Sequence, residues 1–166
     1  VLLRAVALEP WEHSDDLCLT DDFQAAWNDR ISAVKSDAGP HAELAQLLDV
    51  EPDRLDIEEY GDAFVAKLDT NRVGQWESRA AFFADVAAGA VLRERLDGWK
   101  ALDVQQRHQL LYGLRVFLEE CPACSGAVTM DEETRESCCR SIDIVAVSCR
   151  ECGARVFEME HPGQVA

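Results

Sequence analysis

The chain has 166 residues, 48% of them hydrophobic, enough for one domain with a real core or one domain plus a small module. Its net charge is −16, and no apolar run approaches the ~20 residues of a membrane-spanning helix, so neither a basic nucleic-acid platform nor a helical membrane protein is indicated. Seven cysteines, an odd number, argue against a closed disulfide framework and for a reducing, cytoplasmic setting.

The acid excess is even along the chain: 12 basic and 24 acidic residues through position 120, then 4 and 8. Only Lys35, Lys67 and Lys100 are lysines. Low lysine, high aspartate and abundant alanine resemble the composition of salt-in halophiles, where a dense acidic surface keeps a chain hydrated while salt screens its self-repulsion.

From the N-terminus, Val1 to Leu8 reads as a first strand or a short helix, broken at Glu9-Pro10-Trp11. His13 has no visible partner and reads as a surface histidine; Cys18 reads as a small core residue. Thr20 is a natural N-cap, and Phe23, Trp27, Ile31 and Val34 recur at helical spacing. Pro40 suits the first turn of a second helix, whose apolar face is Leu44, Leu47 and Leu48. Ile57, Tyr60, Phe64 and Leu68 read as a third helical stripe, followed by a loop at Thr70-Asn71-Arg72. Gln75 to Leu96 gives the longest helical pattern. Its small residues Ala84, Ala87, Ala88 and Gly89 predict close approach of another helix. Asp103 caps a last helix reaching Glu120, with Val104, His108, Leu111 and Leu114 on its apolar side and His108 in the core. The expected fold class is therefore mainly α: an all-helical domain of about five helices over residues 1–120, then a small module over residues 121–166.

That module carries the chemistry. Cys121 and Cys124 form one Cys-x-x-Cys pair, Cys149 and Cys152 a second, with 24 residues between them. Two intervening residues let a tight turn aim both sulfurs at one point, and zinc takes four such thiolates in a tetrahedron. Gly126 and Gly153 follow the pairs, where a positive φ is often required. Ala127 to Met130 is a short apolar run ending in an acidic turn, Asp131-Glu132-Glu133; residues 142–147 and 155–160 read as strands. Two cysteine-bearing turns with three short strands resemble a zinc ribbon over residues 119–161. The resemblance implies a structural Zn2+ held by Cys121, Cys124, Cys149 and Cys152, closed to catalysis. A thioredoxin-like redox pair would instead open a helix after a buried strand. Cys138 and Cys139, as strand neighbours, would point to opposite faces, either as small apolar residues or as a redox-sensing or second metal pair.

No phosphate-binding glycine loop, His-Glu-x-x-His or Gly-x-Ser-x-Gly occurs, so no enzyme is indicated. Residues 42–55 resemble the helix-turn-helix of repressor-like regulators at Leu44-Ala45, Leu48, Val50 and Leu55. The implied recognition helix, however, carries Asp53, Asp56, Glu58 and Glu59 with only Arg54 for phosphate. The leading expectation is a non-enzymatic zinc-binding protein that docks or scaffolds a protein partner. A DNA-binding regulator and a thiol redox sensor are the alternatives, and no membrane partner is expected.

Overall fold

Twelve of the seventeen residues of one helix, Arg79–Arg95, are buried, and the rest of the molecule is arranged around it. The computed structural model describes residues 8–10, 17–36 and 39–160; the expectations for His13 and for residues 1–7 lie outside them. Among the described residues there are eight strands (β1 Leu8–Pro10, β2 Leu17–Leu19, β3 Leu55–Tyr60, β4 Ala63–Leu68, β5 Asn71–Trp76, β6 Val128–Ser137, β7 Arg140–Cys149, β8 Arg155–Glu160). Four α-helices accompany them (α1 Asp21–Ser36, α2 Gly39–Leu48, α3 Arg79–Arg95, α4 Val104–Leu114). The strands form a β1–β2 ribbon and two three-stranded antiparallel sheets, β3-β4-β5 and β6-β7-β8.

The fold is thus mixed α/β, and the expectation of a mainly α chain with about five helices is wrong. The error sits in residues 55–76. Ile57, Tyr60, Phe64 and Leu68 mimic a helical stripe, but they lie on a hairpin whose strands turn at Gly61 (φ 61°), and Tyr60 is 57% exposed. Asp69 (φ 58°) then turns the chain into β5, which includes Asn71 and Arg72. A two-residue turn with a left-handed residue matches the twist of its strands, so this spacing of apolar residues belongs to two paired strands rather than one helical face. The same strand removes the helix-turn-helix reading: beyond α2, residues 52–54 make a single 3-10 turn, and Leu55 to Tyr60 are β3, not a recognition helix.

Where side-chain periodicity was unambiguous, it held. Thr20 Oγ1 accepts the Phe23 N–H at 3.2 Å, and Phe23, Trp27, Ile31 and Val34 are all buried along α1. Gly89 sits against α2 so closely that a Cβ would meet Leu47 Cδ1 at 2.6 Å. α3 itself begins later than its apolar pattern, at the Ser78 N-cap, because Trp76 belongs to β5.

The last helix is capped by a full capping box, Asp103 with Gln106, but it ends at Leu114 and continues only as a 3-10 turn, Arg115–Phe117. Its buried stripe is Arg107, Leu111 and Leu114. Val104 and His108 are exposed, so His108 is not a core histidine. The true stripe keeps Leu111 and Leu114 but carries the buried cation Arg107 in place of Val104 and His108.

The β6-β7-β8 sheet is continuous with the helical core. Cys121, Val147, Cys149, Val156 and Phe157 share one buried cluster with α1, α2 and α3 residues. β6 is longer than the sequence suggests. Asp131, Glu132 and Glu133 are within the strand rather than in a turn, with Glu133 bonded to Arg155 at 3.0 Å. The turn lies at Cys138-Cys139, which are not on a strand and are both exposed. Cys18 is partly exposed in β2, its thiol donating to the Glu9 carbonyl at 3.6 Å, rather than a core residue.

Candidate metal centre

The two Cys-x-x-Cys segments fold into turns of the same design. In each, the backbone N–H four residues after the first cysteine returns to that cysteine's carbonyl: Ser125 to Cys121 at 2.8 Å, Gly153 to Cys149 at 3.1 Å. In each, the first cysteine's own N–H donates five residues onward: Cys121 to Gly126 at 2.8 Å, Cys149 to Ala154 at 2.9 Å. The residue after each second cysteine is left-handed, Ser125 at φ 64° and Gly153 at φ 73°. The first turn is therefore a serine where the second has glycine, and the positive φ expected at Gly126 falls one residue earlier. Gly126 is needed for a different reason: a Cβ there would lie 2.9 Å from Glu151 Cδ and 3.0 Å from both Cys149 Sγ and Glu151 Cβ. It is the place where one turn presses on the other.

The Arg150 N–H donates to the Ala127 carbonyl at 2.9 Å and ties the second turn to the start of the β6 hairpin. As a result the sulfurs of Cys121, Cys124, Cys149 and Cys152 all lie within 4.8 Å of one another. Cys121 and Cys152 sulfurs are 3.7 Å apart, Cys124 and Cys149 3.5 Å. A tetrahedron of thiolates at about 2.3 Å from a central ion has edges of about 3.8 Å. The four cysteines the sequence singled out are thus brought together at a spacing that can hold a metal ion, with four protein donors. Cys18, Cys138 and Cys139 are not part of this group.

Cys121 and Cys149 are buried, Cys124 and Cys152 exposed. Burial pushes the Cys121 thiol up to about 12, against the backbone donors of Cys124 and Ala123. For Cys149 desolvation also works upward, but the N–H groups of Cys152 and Glu151, aimed at its sulfur from 3.5 and 3.4 Å, together with the Cys124 and Cys152 thiols outweigh it and bring the thiol down to about 7. Gly126 N–H reaches Cys124 Sγ at 3.4 Å in the same way. Backbone donors converging on sulfur favour the thiolate, the form a metal requires.

The centre is held against the rest of the molecule by polar contacts that sequence reasoning missed. Arg115, 1% exposed, bonds Asp85 of α3 through Nε and Nη2 at 2.7 and 2.5 Å, Glu77 at 3.0 Å, and the Val156 carbonyl of β8 at 3.2 Å. Trp76 Nε1 donates to the same Asp85 at 2.9 Å. Burial alone would lower the Arg115 pKa; the two carboxylates overcome it and hold the guanidinium above its usual value. Tyr112 bonds the Glu158 backbone through its hydroxyl, and Ser78 Oγ donates to the Arg155 carbonyl at 2.6 Å. The available signal was local: Asp85 stands alone in the apolar run Ala80–Leu92, and Arg115 between Leu114 and Val116. A charge in such a setting needs an opposite charge nearby.

The protein is thus a mixed α/β chain whose four-thiol centre joins the turn before β6 to the β7–β8 turn. The chain belongs to the DUF8054 family, described as a family of unknown function: the model of its central domain matches residues 1–116 and that of its C-terminal domain residues 119–159. Neither of these models describes a zinc ribbon. No curated protein and no solved structure matches the chain. No helix among the described residues is long and apolar enough to cross a membrane.

Proposed function

We propose that the four cysteines bind Zn2+ as a structural ion and that the protein is a non-enzymatic, metal-stabilised module for docking a protein partner. The observation that carries the reading is the convergence of four thiols, from two turns of one design, within 4.8 Å. An all-thiolate tetrahedral set suits zinc or iron, and with four protein donors it leaves no position open for a substrate. The ion would clamp two turns that already press together at Gly126 and are joined by the Arg150–Ala127 bond. A ribbon fixed to its neighbouring helices by Arg115, Tyr112 and Ser78 is a rigid platform, which suits recognition better than a mobile tether.

Elemental analysis of the purified chain tests the metal: one zinc per chain supports the reading, one iron with thiolate-to-iron colour replaces it, and no metal ends it. Affinity co-purification in concentrated potassium chloride, with and without nuclease, tests the partner. Proteins retained after nuclease support docking. Partners lost with nuclease, or co-eluting nucleic acid, transfer the function to nucleic-acid binding.

A further inference from the structure

Cys138 and Cys139 form the whole of the two-residue turn between β6 and β7, closed by the Ser137–Arg140 pair. They are far from the metal centre. The hairpin pairs Val128 with Cys149 at one end and Ser137 with Arg140 at the other. At about 3.4 Å per residue that is about 30 Å of strand, so these thiols cannot complete the four-cysteine site.

Nothing in the turn's conformation asks for cysteine. Two other two-residue hairpin turns among the described residues each hold a left-handed residue, Gly61 and Asp69. Among the described residues the non-glycine left-handed positions are Asp49, Asp69 and Ser125, so neither Cys138 nor Cys139 joins them. Asn-Gly and Asp-Gly are the commoner pairs in two-residue hairpin turns. A local rule broken without a structural gain is the mark of a functional position.

The sulfurs supply the gain. Both side chains are exposed, and their Sγ atoms stand 3.5 Å apart. With bonds of about 2.3 Å to a central atom, that separation subtends about 100° there, the bent geometry of a bis-thiolate chelate. A disulfide fits less well, because adjacent Cα atoms are about 3.8 Å apart and disulfides usually span about 4.4–6.8 Å.

We propose that Cys138 and Cys139 are a second, independent thiol site that captures a soft, thiophilic ion or metalloid as a bent chelate at the hairpin tip. With a monosubstituted trivalent arsenical the step is balanced without any oxidant. For an arsine oxide, R–As=O, two S–H bonds and the arsenic–oxygen double bond break, two arsenic–sulfur bonds form, and the oxygen leaves as one water carrying both thiol protons.

The test is phenylarsine oxide added to the metal-loaded full chain, followed by native mass spectrometry and metal analysis on the same samples. One adduct per chain with the bound metal retained is expected. Cys138→Ser and Cys139→Ser should each weaken it about 100-fold, since a chelate becomes a single bond and loses the effective concentration of the second thiol, whereas Cys18→Ser should leave it unchanged. The chain should also bind about tenfold more tightly than a linear peptide of residues 134–143, because the folded turn holds the sulfurs in place. Adducts that persist in both tip variants, that form only as metal leaves the four-cysteine centre, or that the peptide matches in affinity would overturn the proposal. The metal content of the untreated protein is read separately, so failure here leaves the zinc reading standing, and the reverse.

Discussion

Arg115 and Asp85 face each other across the interior as a paired fork, two hydrogen bonds of 2.7 and 2.5 Å between side chains each 1% exposed. The pair joins the turn that leads into the first cysteine to the helix at the centre of the fold, and through Val156 it reaches the cysteine-bearing sheet. An ion pair out of water is held by partners, not by its own attraction. Removing one member strands the other, while replacing both by apolar groups is often neutral.

Arg115→Met is therefore expected to destabilise the chain by about 3–5 kcal/mol in urea denaturation. Arg115→Met with Asp85→Leu should recover most of that, although Trp76 Nε1 then loses its acceptor. Equal loss in the single and double variants would show that the pair does not act as a unit.

Metal removal should act locally first. Structural zinc in small finger peptides is worth on the order of 10–16 kcal/mol, far more than a short sheet supplies by packing. Chelation, or Cys124→Ser, should abolish bound metal and expose the β6–β7 hairpin to protease while the helical circular-dichroism signal is largely kept. Retention of the metal in Cys124→Ser would remove that residue from the site.

Ser125 occupies a left-handed position that its counterpart Gly153 fills without steric cost. Ser125→Gly is expected to raise stability by about 0.5–1 kcal/mol, the left-handed penalty less the added freedom of the unfolded chain. The check is the unfolding midpoint of the metal-loaded protein; a fall in that midpoint would mean that the serine side chain has a role of its own.

Gly126→Ala should lower metal affinity about 10–100-fold in competition with a chromogenic chelator, because the new Cβ presses on Cys149 Sγ. Gly98→Ala is the matched control. Nothing lies within 4 Å of its Cβ, its φ is −88°, and a change within about 0.5 kcal/mol is expected.

A net charge of −16 repels itself most in dilute salt. Raising potassium chloride from about 0.1 M, where the Debye length is about 10 Å, to 1 M, where it is about 3 Å, should raise Tm, on the order of 5 °C for a stabilisation of about 1–2 kcal/mol. A flat response would separate the acidic composition from salt tolerance.

Features set by local chemistry can be read from the chain alone. The Cys121, Cys124, Cys149 and Cys152 set was legible because two residues between cysteines leave little choice of turn. The α1 stripe was legible because burial on one side imposes a helical period, β7 because its residues are β-branched, and β8 because polar and apolar residues alternate along it. The rest depended on contacts between distant parts of the chain. Residues 55–68 could satisfy either a helical or a hairpin spacing, and the left-handed turn at Gly61, with Phe64 stacked on Phe82 at 5.1 Å, selected the sheet. Which side of α4 turns inward depended on Arg107 finding the Leu47 carbonyl at 2.9 Å and Asp49 at 2.7 Å. That Arg115 would be buried at all depended on Asp85, thirty residues away. A charge enters a core only with its partner, and partners distant in the chain meet only once the chain has folded.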